Sequence, residues 1–144
     1  MEKVIFKDGK RVSARGIIIK GDSVYLMFRR KKKDDGTYKE YYVVPGGGID
    51  EGESEEVAVK REMMEELGVD VIILGKIGCD EGDSSIANFY HLSIVDGNPT
   101  LGGEEAIRNN PDNFYEIRLV KISELDDIDV TGKDYINKAY NRKY

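Results

Sequence analysis

Three carboxylates, Glu62, Glu65 and Glu66, are the residues best placed to do chemistry in this chain. They stand at i, i+3 and i+4, so on a helix of about 3.6 residues per turn they share one face. Like charges at that spacing destabilise an isolated helix by about 0.2–0.5 kcal/mol per pair. Arg61, the nearest cation on that side, cannot neutralise three carboxylates. A divalent cation can, and hard oxygen donors on adjacent turns suit Mg2+ or Mn2+. Just upstream stands Pro45-Gly46-Gly47-Gly48. Pro45 supplies no backbone N–H, and the glycines allow positive φ and close approach of backbone to a ligand. The stretch is therefore expected to be irregular. Beside the acidic cluster, such a loop makes a place for a metal-bound polyphosphate.

A helix has to carry the glutamates. Ser54 is a natural N-cap, Glu55 and Glu56 fall in the first turn where the helix dipole favours negative charge, and Gly68 is a natural C′ residue. The signals predict a helix over residues 55–67. On its wheel Val57, Val59, Met63, Met64 and Leu67 gather on one side as the expected core face, with the carboxylates opposite.

Residues 47–69 resemble the complete signature of the Nudix hydrolases. Gly47 is followed after five residues by Glu53, and after seven more by Arg61-Glu62-Met63-Met64-Glu65-Glu66-Leu67-Gly68-Val69. The resemblance implies hydrolysis of a nucleoside diphosphate linked to another moiety, by water attack at phosphorus. It implies that Glu62, Glu65 and Glu66 bind metal together with the Gly46 carbonyl. It also implies that Arg61 tethers Glu53 and so orients the loop against the helix. The catalytic base stays open among Glu62, Glu65 and two distal glutamates, Glu104 and Glu105, with Glu105 favoured. The proline and the tyrosine that mark the ADP-ribose and dinucleoside polyphosphate groups downstream of the signature are absent. Nucleoside triphosphates, oxidised ones included, are then the default substrate. Nucleotide sugars, dinucleotides, capped RNA ends and a non-catalytic nucleotide-binding module are the alternatives.

The remaining chain reads as strands. Residues 4–12 form a hairpin turning at Asp8-Gly9, and 14–20 form a strand whose Ile17-Ile18-Ile19 run implies burial on both faces. Strands over 23–29 and 38–44 follow, the second delivering the chain to the glycines. Five cations at 29–33 read as a solvated loop, or as a source of phosphate contacts through Arg29 or Arg30. The resemblance implies an aromatic near the substrate on this approach strand, Tyr41 or Tyr42 here, with Gly47 beside it. Tyr25, Phe28, Tyr42, Phe89 and Tyr90 are candidates for stacking on a base. Beyond the helix, strands are expected over 69–77 and 88–95, with a polar loop near the site over 78–85. His91 reads as a sheet histidine. The longest irregular stretch, 96–113, has the length of a binding loop or lid. A strand over 114–121, a helical turn at 123–125 and a helix over 131–141 with Ile136, Ala139 and Tyr140 facing inward complete the chain. The element order gives an α+β fold, which the resemblance sharpens to a Nudix-type α/β/α sandwich with a mixed β-sheet.

Bulk properties narrow the function. The 144 residues suit one domain, and 40% apolar with 35% charged residues suit a compact fold in water. Net charge of −6 argues against general nucleic-acid binding, leaving a capped RNA end as the one nucleic-acid partner retained. No apolar run reaches the length of a membrane span. The opening MEKVIFKDGK lacks the apolar core of a leader peptide, so a cytoplasmic location is expected. Cys79 is the only cysteine, which excludes an internal disulfide, and is expected to be buried or half-buried. The partner expected is a nucleotide-type small molecule, with a homodimer left open.

Overall fold

The structure is a computed structural model that describes residues 4–144; residues 1–3, part of the leader-peptide argument, lie outside it. Eight strands form one mixed sheet. The strands are β1 (Phe6–Lys7), β2 (Lys10–Lys20), β3 (Ser23–Lys32), β4 (Tyr38–Val43), β5 (Gly46–Gly48), β6 (Asp70–Glu81), β7 (Ser85–Asp96) and β8 (Asn113–Lys121). The central order is β4-β3-β2-β7-β6, with β1 and β5 also pairing β2 and β8 pairing β3. The β2–β7 pair is parallel and the other named pairs are antiparallel.

The β1–β2 hairpin turns where expected, with Asp8 and Gly9 both at positive φ as a two-residue turn between twisted strands requires. Because side chains alternate along a strand, β2 feeds two cores. Val12, Ala14 and Ile18 meet Ala58, Val59, Met63 and Leu67 of helix α1 (Glu55–Leu67). Ile17, on the other face, meets Leu125 of a 3-10 turn (Ile122–Asp127) and Ile136 and Ala139 of helix α3 (Lys133–Asn141). Helices thus cover both faces of a mixed sheet.

Several expectations need correction. The three glycines are not a loop but β5, paired antiparallel with Ser13, Ala14 and Arg15 of β2. The proposed loop over 78–85 is mostly strand, because β6 and β7 run on to a short turn and pair Cys79 with Asn88 and Glu81 with Ile86. Cys79 is exposed. On α1, Val57 and Met64 are 56% and 52% exposed, so the buried stripe is Ala58, Val59, Met63 and Leu67, and Glu66 turns in beside it. Tyr140 is exposed. The long irregular stretch holds a short helix, α2 (Gly103–Arg108). Among the described residues, no helix is long and apolar enough to cross a membrane.

Candidate active site

Helix α1 begins at Ser54, whose hydroxyl oxygen accepts from the Val57 N–H at 3.1 Å, and ends at Gly68 in the left-handed region. Its inner edge lies against β5, and glycine is what permits the approach. A Cβ at Gly47 would stand 2.5 Å from Glu62 Oε1. At Gly46, φ is +151°, and a Cβ would collide with the Ala14 carbonyl oxygen. The Gly46 N–H then donates to Glu66 Oε2 at 2.8 Å.

Arg61 ties the arrangement together. Its Nε donates to Glu53 Oε2 at 2.7 Å, and Nη2 donates to Glu53 Oε1 at 2.8 Å and to the Gly48 carbonyl at 3.1 Å. Nη1 reaches Glu62 Oε1 at 2.9 Å and Glu65 Oε2 at 3.2 Å. Asp50 lies 3.4 Å away, and its N–H donates to Glu53 Oε1 at 3.0 Å. The fork geometry of a guanidinium suits such convergence. Glu53 and Arg61 therefore stand behind the cleft as a brace between β5 and α1. Hydrogen bonds from Arg61 hold the Glu53 carboxyl below its usual range.

Glu66 is only 8% exposed. Burial first, then the charges of Glu62 and Glu105, push its carboxyl up to about 8, against the opposing pull of Arg15 and the Gly46 N–H. Glu62 is raised as well, mainly by burial, with Arg61 opposing. Arg15 is half-buried beside β5, where Nη1 donates to the Val44 and Gly46 carbonyls at 3.2 Å each. Desolvation lowers its pKa, and Glu66 offsets part of that effect.

These groups border a cleft of about 600 Å3. The β5 glycines with Glu62, Glu65 and Glu66 form one wall. Met27 and Arg29 of β3, Val43 of β4 and Tyr115 of β8 form another, and Glu104 and Glu105 of α2 close one end. Arg11 and Arg15 lie where this cleft adjoins a second chamber of about 340 Å3 containing Phe89 and Asp80.

The structure thus gathers Gly46, Gly47, Glu62, Glu65, Glu66, Glu105 and Arg29 around one cleft. It does not bring Arg30 or Tyr42 there. Both lie on the opposite face of the sheet, Arg30 against Phe114 and Tyr42 edge-on to Phe28, because alternation separates them from Arg29 and Tyr41. The Tyr42 hydroxyl oxygen accepts from Arg118 at 3.0 Å. Phe28 and Tyr90 are core residues, and Tyr25 packs against the α1-side core. Phe89 stacks on Tyr135 while also bordering the second chamber. His91 is buried in the sheet with Nδ1 2.8 Å from the Tyr144 hydroxyl. Arg11, Arg15 and Tyr115 were missed by sequence reasoning. Arg11 and Arg15 both stand on β2 and Tyr115 on β8, and no local periodicity signals that these strands face a cleft whose glutamates lie on α1 and α2, far away in the chain.

The donor set is all hard oxygen: the carboxylates of Glu62, Glu65 and Glu66 and the Gly46 carbonyl, which retains a lone pair beside Arg15. A buried carboxylate raised by two neighbouring carboxylates is the arrangement a divalent cation relieves, and on that chemistry the residues fit one. As the side chains stand, among the described residues no three acidic, histidine or cysteine groups are drawn together tightly enough to hold an ion. Arg61 accounts for this by drawing Glu62 and Glu65 toward itself.

A sequence model of the family described as NUDIX domain matches residues 9–139. The chain is 40% identical over 60 residues to a protein named nucleoside triphosphatase NudI from Escherichia fergusonii. That match covers 42% of this chain and 41% of the relative's length. A MutT NUDIX hydrolase from Burkholderia pseudomallei superimposes with a TM-score of 0.62 at 24% identity, covering 81% of this chain and 86% of the other. A NUDIX hydrolase from Nitrosomonas europaea superimposes with a TM-score of 0.67 at 16% identity, covering 92% and 89%. At those identities the superpositions speak for the fold.

Proposed function

The chain belongs to the NUDIX family, and on that premise we propose that it is a divalent-metal-dependent pyrophosphohydrolase acting on nucleoside diphosphates linked to another moiety, nucleoside triphosphates foremost. The observation that carries the proposal is the buried Glu66, ringed by Glu62 and Glu105 and held to the Gly46 N–H in an open cleft. A carboxylate so placed is a poor structural choice and a good ligand. The partial match to a relative named as a nucleoside triphosphatase supports the substrate class.

Glu62, Glu65, Glu66 and the Gly46 carbonyl are the groups that would hold Mg2+ or Mn2+. When bound, such an ion neutralises charge on phosphate oxygens and lowers the pKa of a coordinated water. The protein's own residues supply the rest. Arg29 borders the cleft with its guanidinium 3.7 Å from the centroid of Tyr115, positioned to bind a phosphate oxygen. Glu105, half-buried at the cleft end, takes the proton from the attacking water as general base. Arg61 and Glu53 act as positioning residues, holding Glu62 and Glu65 at the rim.

The test is incubation of purified protein and Mg2+ with a panel of nucleoside triphosphates, nucleotide sugars and dinucleotides, with products identified by NMR. Nucleoside monophosphate and pyrophosphate are expected from the triphosphates. Glu65→Gln is expected to lower turnover by at least about a hundredfold with the fold retained. Turnover of every substrate by Glu65→Gln and Glu66→Gln at the parent rate would overturn the assignment.

A further inference from the structure

We propose that the pocket at the C-terminal end of α3 is a second binding site, for a small oxyanion of the phosphate class held between Arg142 and His91. The pocket measures about 220 Å3 and shares no lining residue with the cleft, so the inference stands apart from the hydrolase reading. Pockets for drug-sized ligands begin at about 300 Å3, so this volume suits an ion and not a nucleoside. Its polar side chains are Arg142, His91, Ser93 and Tyr140, all able to donate a hydrogen bond, and no carboxylate lines it. Among the described residues, Arg142 pairs with no carboxylate either. In a chain of net charge −6, a donor-lined pocket clear of acids is not what composition provides.

The backbone sharpens the case for Arg142. It caps α3 with φ at +52°, and among the described residues only Asp8 is a second non-glycine residue in the left-handed region. Glycine takes that conformation without a Cβ penalty, so the cap alone would select glycine and does not account for an arginine. The negative end of the helix, which would repel an anion, is muted. The Arg142 N–H donates to the Ala139 carbonyl at 3.2 Å, and the Lys143 N–H donates to the Lys138 carbonyl at 2.9 Å.

His91 supplies the second donor. It is 4% exposed, and its Nδ1 lies 2.8 Å from the Tyr144 hydroxyl. Among the described residues no buried side-chain nitrogen or oxygen lacks a partner, and Nε2 makes no hydrogen bond. Nε2 is therefore the atom of the ring that stays accessible, in the pocket wall. Burial first, and the charge of Arg142 second, lower the imidazole pKa, so the ring is neutral at pH 7. With the Tyr144 hydroxyl donating to Nδ1, Nε2 carries the ring proton and donates into the pocket. An anion there accepts from Nε2 and from the guanidinium together, and offsets the unpaired charge of Arg142.

His91 is the only histidine in the chain, so its Cε1 proton gives a single NMR signal to follow. Parent protein, in chelator at pH 7 with ionic strength held constant by chloride, is titrated with orthophosphate and separately with pyrophosphate. A saturable shift of the signal is expected. Saturation by either supports the site, and the tighter of the two names its ion. Arg142→Gly, which the left-handed backbone accommodates, is expected to keep Tm at or above the parent's and to weaken binding at least about tenfold. Arg29→Gln, in the cleft, is expected to leave the affinity unchanged. Drift without saturation for both ions, parent-like affinity in Arg142→Gly, or loss of the shift in Arg29→Gln would overturn the proposal.

Discussion

Replacing Glu66 by glutamine should stabilise the metal-free protein at alkaline pH, against the usual direction for a buried substitution. Glu66 has its pKa raised from 4.5 to about 8 in the folded state. A raised carboxyl favours the fold while it is protonated. That contribution is complete below about 4.5 and is lost as pH rises through about 8. With about 1.36 kcal/mol per pKa unit, the loss between pH 5 and pH 9 comes to about 4 kcal/mol. Glutamine is neutral throughout and keeps an oxygen to accept from the Gly46 N–H. Urea unfolding followed by circular dichroism, in chelator from pH 5 to 9, gives the difference between parent and variant, in which the titrating groups not coupled to Glu66 cancel. The variant should sit near the parent at pH 5 and rise above it by up to about 4 kcal/mol at pH 9. Added Mg2+ should then stabilise the parent by about 2.7 kcal/mol at a hundred times its Kd, and the variant much less. A difference that stays flat with pH, or that falls, would refute the claim that Glu66 is held at an electrostatic disadvantage.

Gly47→Ala places a methyl group 2.5 Å from Glu62 Oε1, so Glu62 must move; turnover should fall at least about tenfold while circular dichroism stays native. Arg61→Ala strips the partners from Glu53 and Glu62 and should cost about 3 kcal/mol in urea unfolding. Glu105→Gln should lower kcat by about a hundredfold or more without moving Tm. Glu104→Gln, which loses only the exposed pair with Arg108 at 3.4 Å, should leave kcat near the parent's; equal losses in the two variants would remove Glu105 as the base.

The signature helix was legible because its signals are local: a capping hydroxyl, acids in the first turn and a glycine beyond the last. Its buried face was only half legible. Val57 and Met64 satisfy the wheel but stand exposed, because β5 and α2 occupy the flank to which Glu66 turns. No wheel can anticipate that a glutamate is drawn inward by a backbone N–H twenty residues away. The glycines were misread for a related reason. Gly46 has the positive φ expected of a loop, yet β2 offers it a ladder, and that partner lies thirty residues upstream. Alternation, a local rule, would have separated Arg29 from Arg30 and Tyr41 from Tyr42 had the face of one neighbour been known. Met27 and Val43, both apolar at the matching register, were that clue. Arg15 carried no such signal, since an arginine before three isoleucines reads as a strand end.

Arg15 also resolves how a chain can bury Glu66 at all. A lone carboxylate in this position would unfold its surroundings or stay protonated, and a full salt bridge would leave nothing for a ligand to do. The arrangement lies between these limits. Arg15 acts on Glu66 through charge while its Nη1 is committed to the Val44 and Gly46 carbonyls, so compensation is partial. Arg61 does the same for Glu62 and Glu65, with Nε and Nη2 committed to Glu53 and only Nη1 shared with the cleft. Each arginine is thus anchored by groups outside the cluster, and the acids keep unmet charge facing the cleft. Replacing either cation by a freer lysine would let it follow the carboxylates inward, improving the pairing and weakening the demand for an ion.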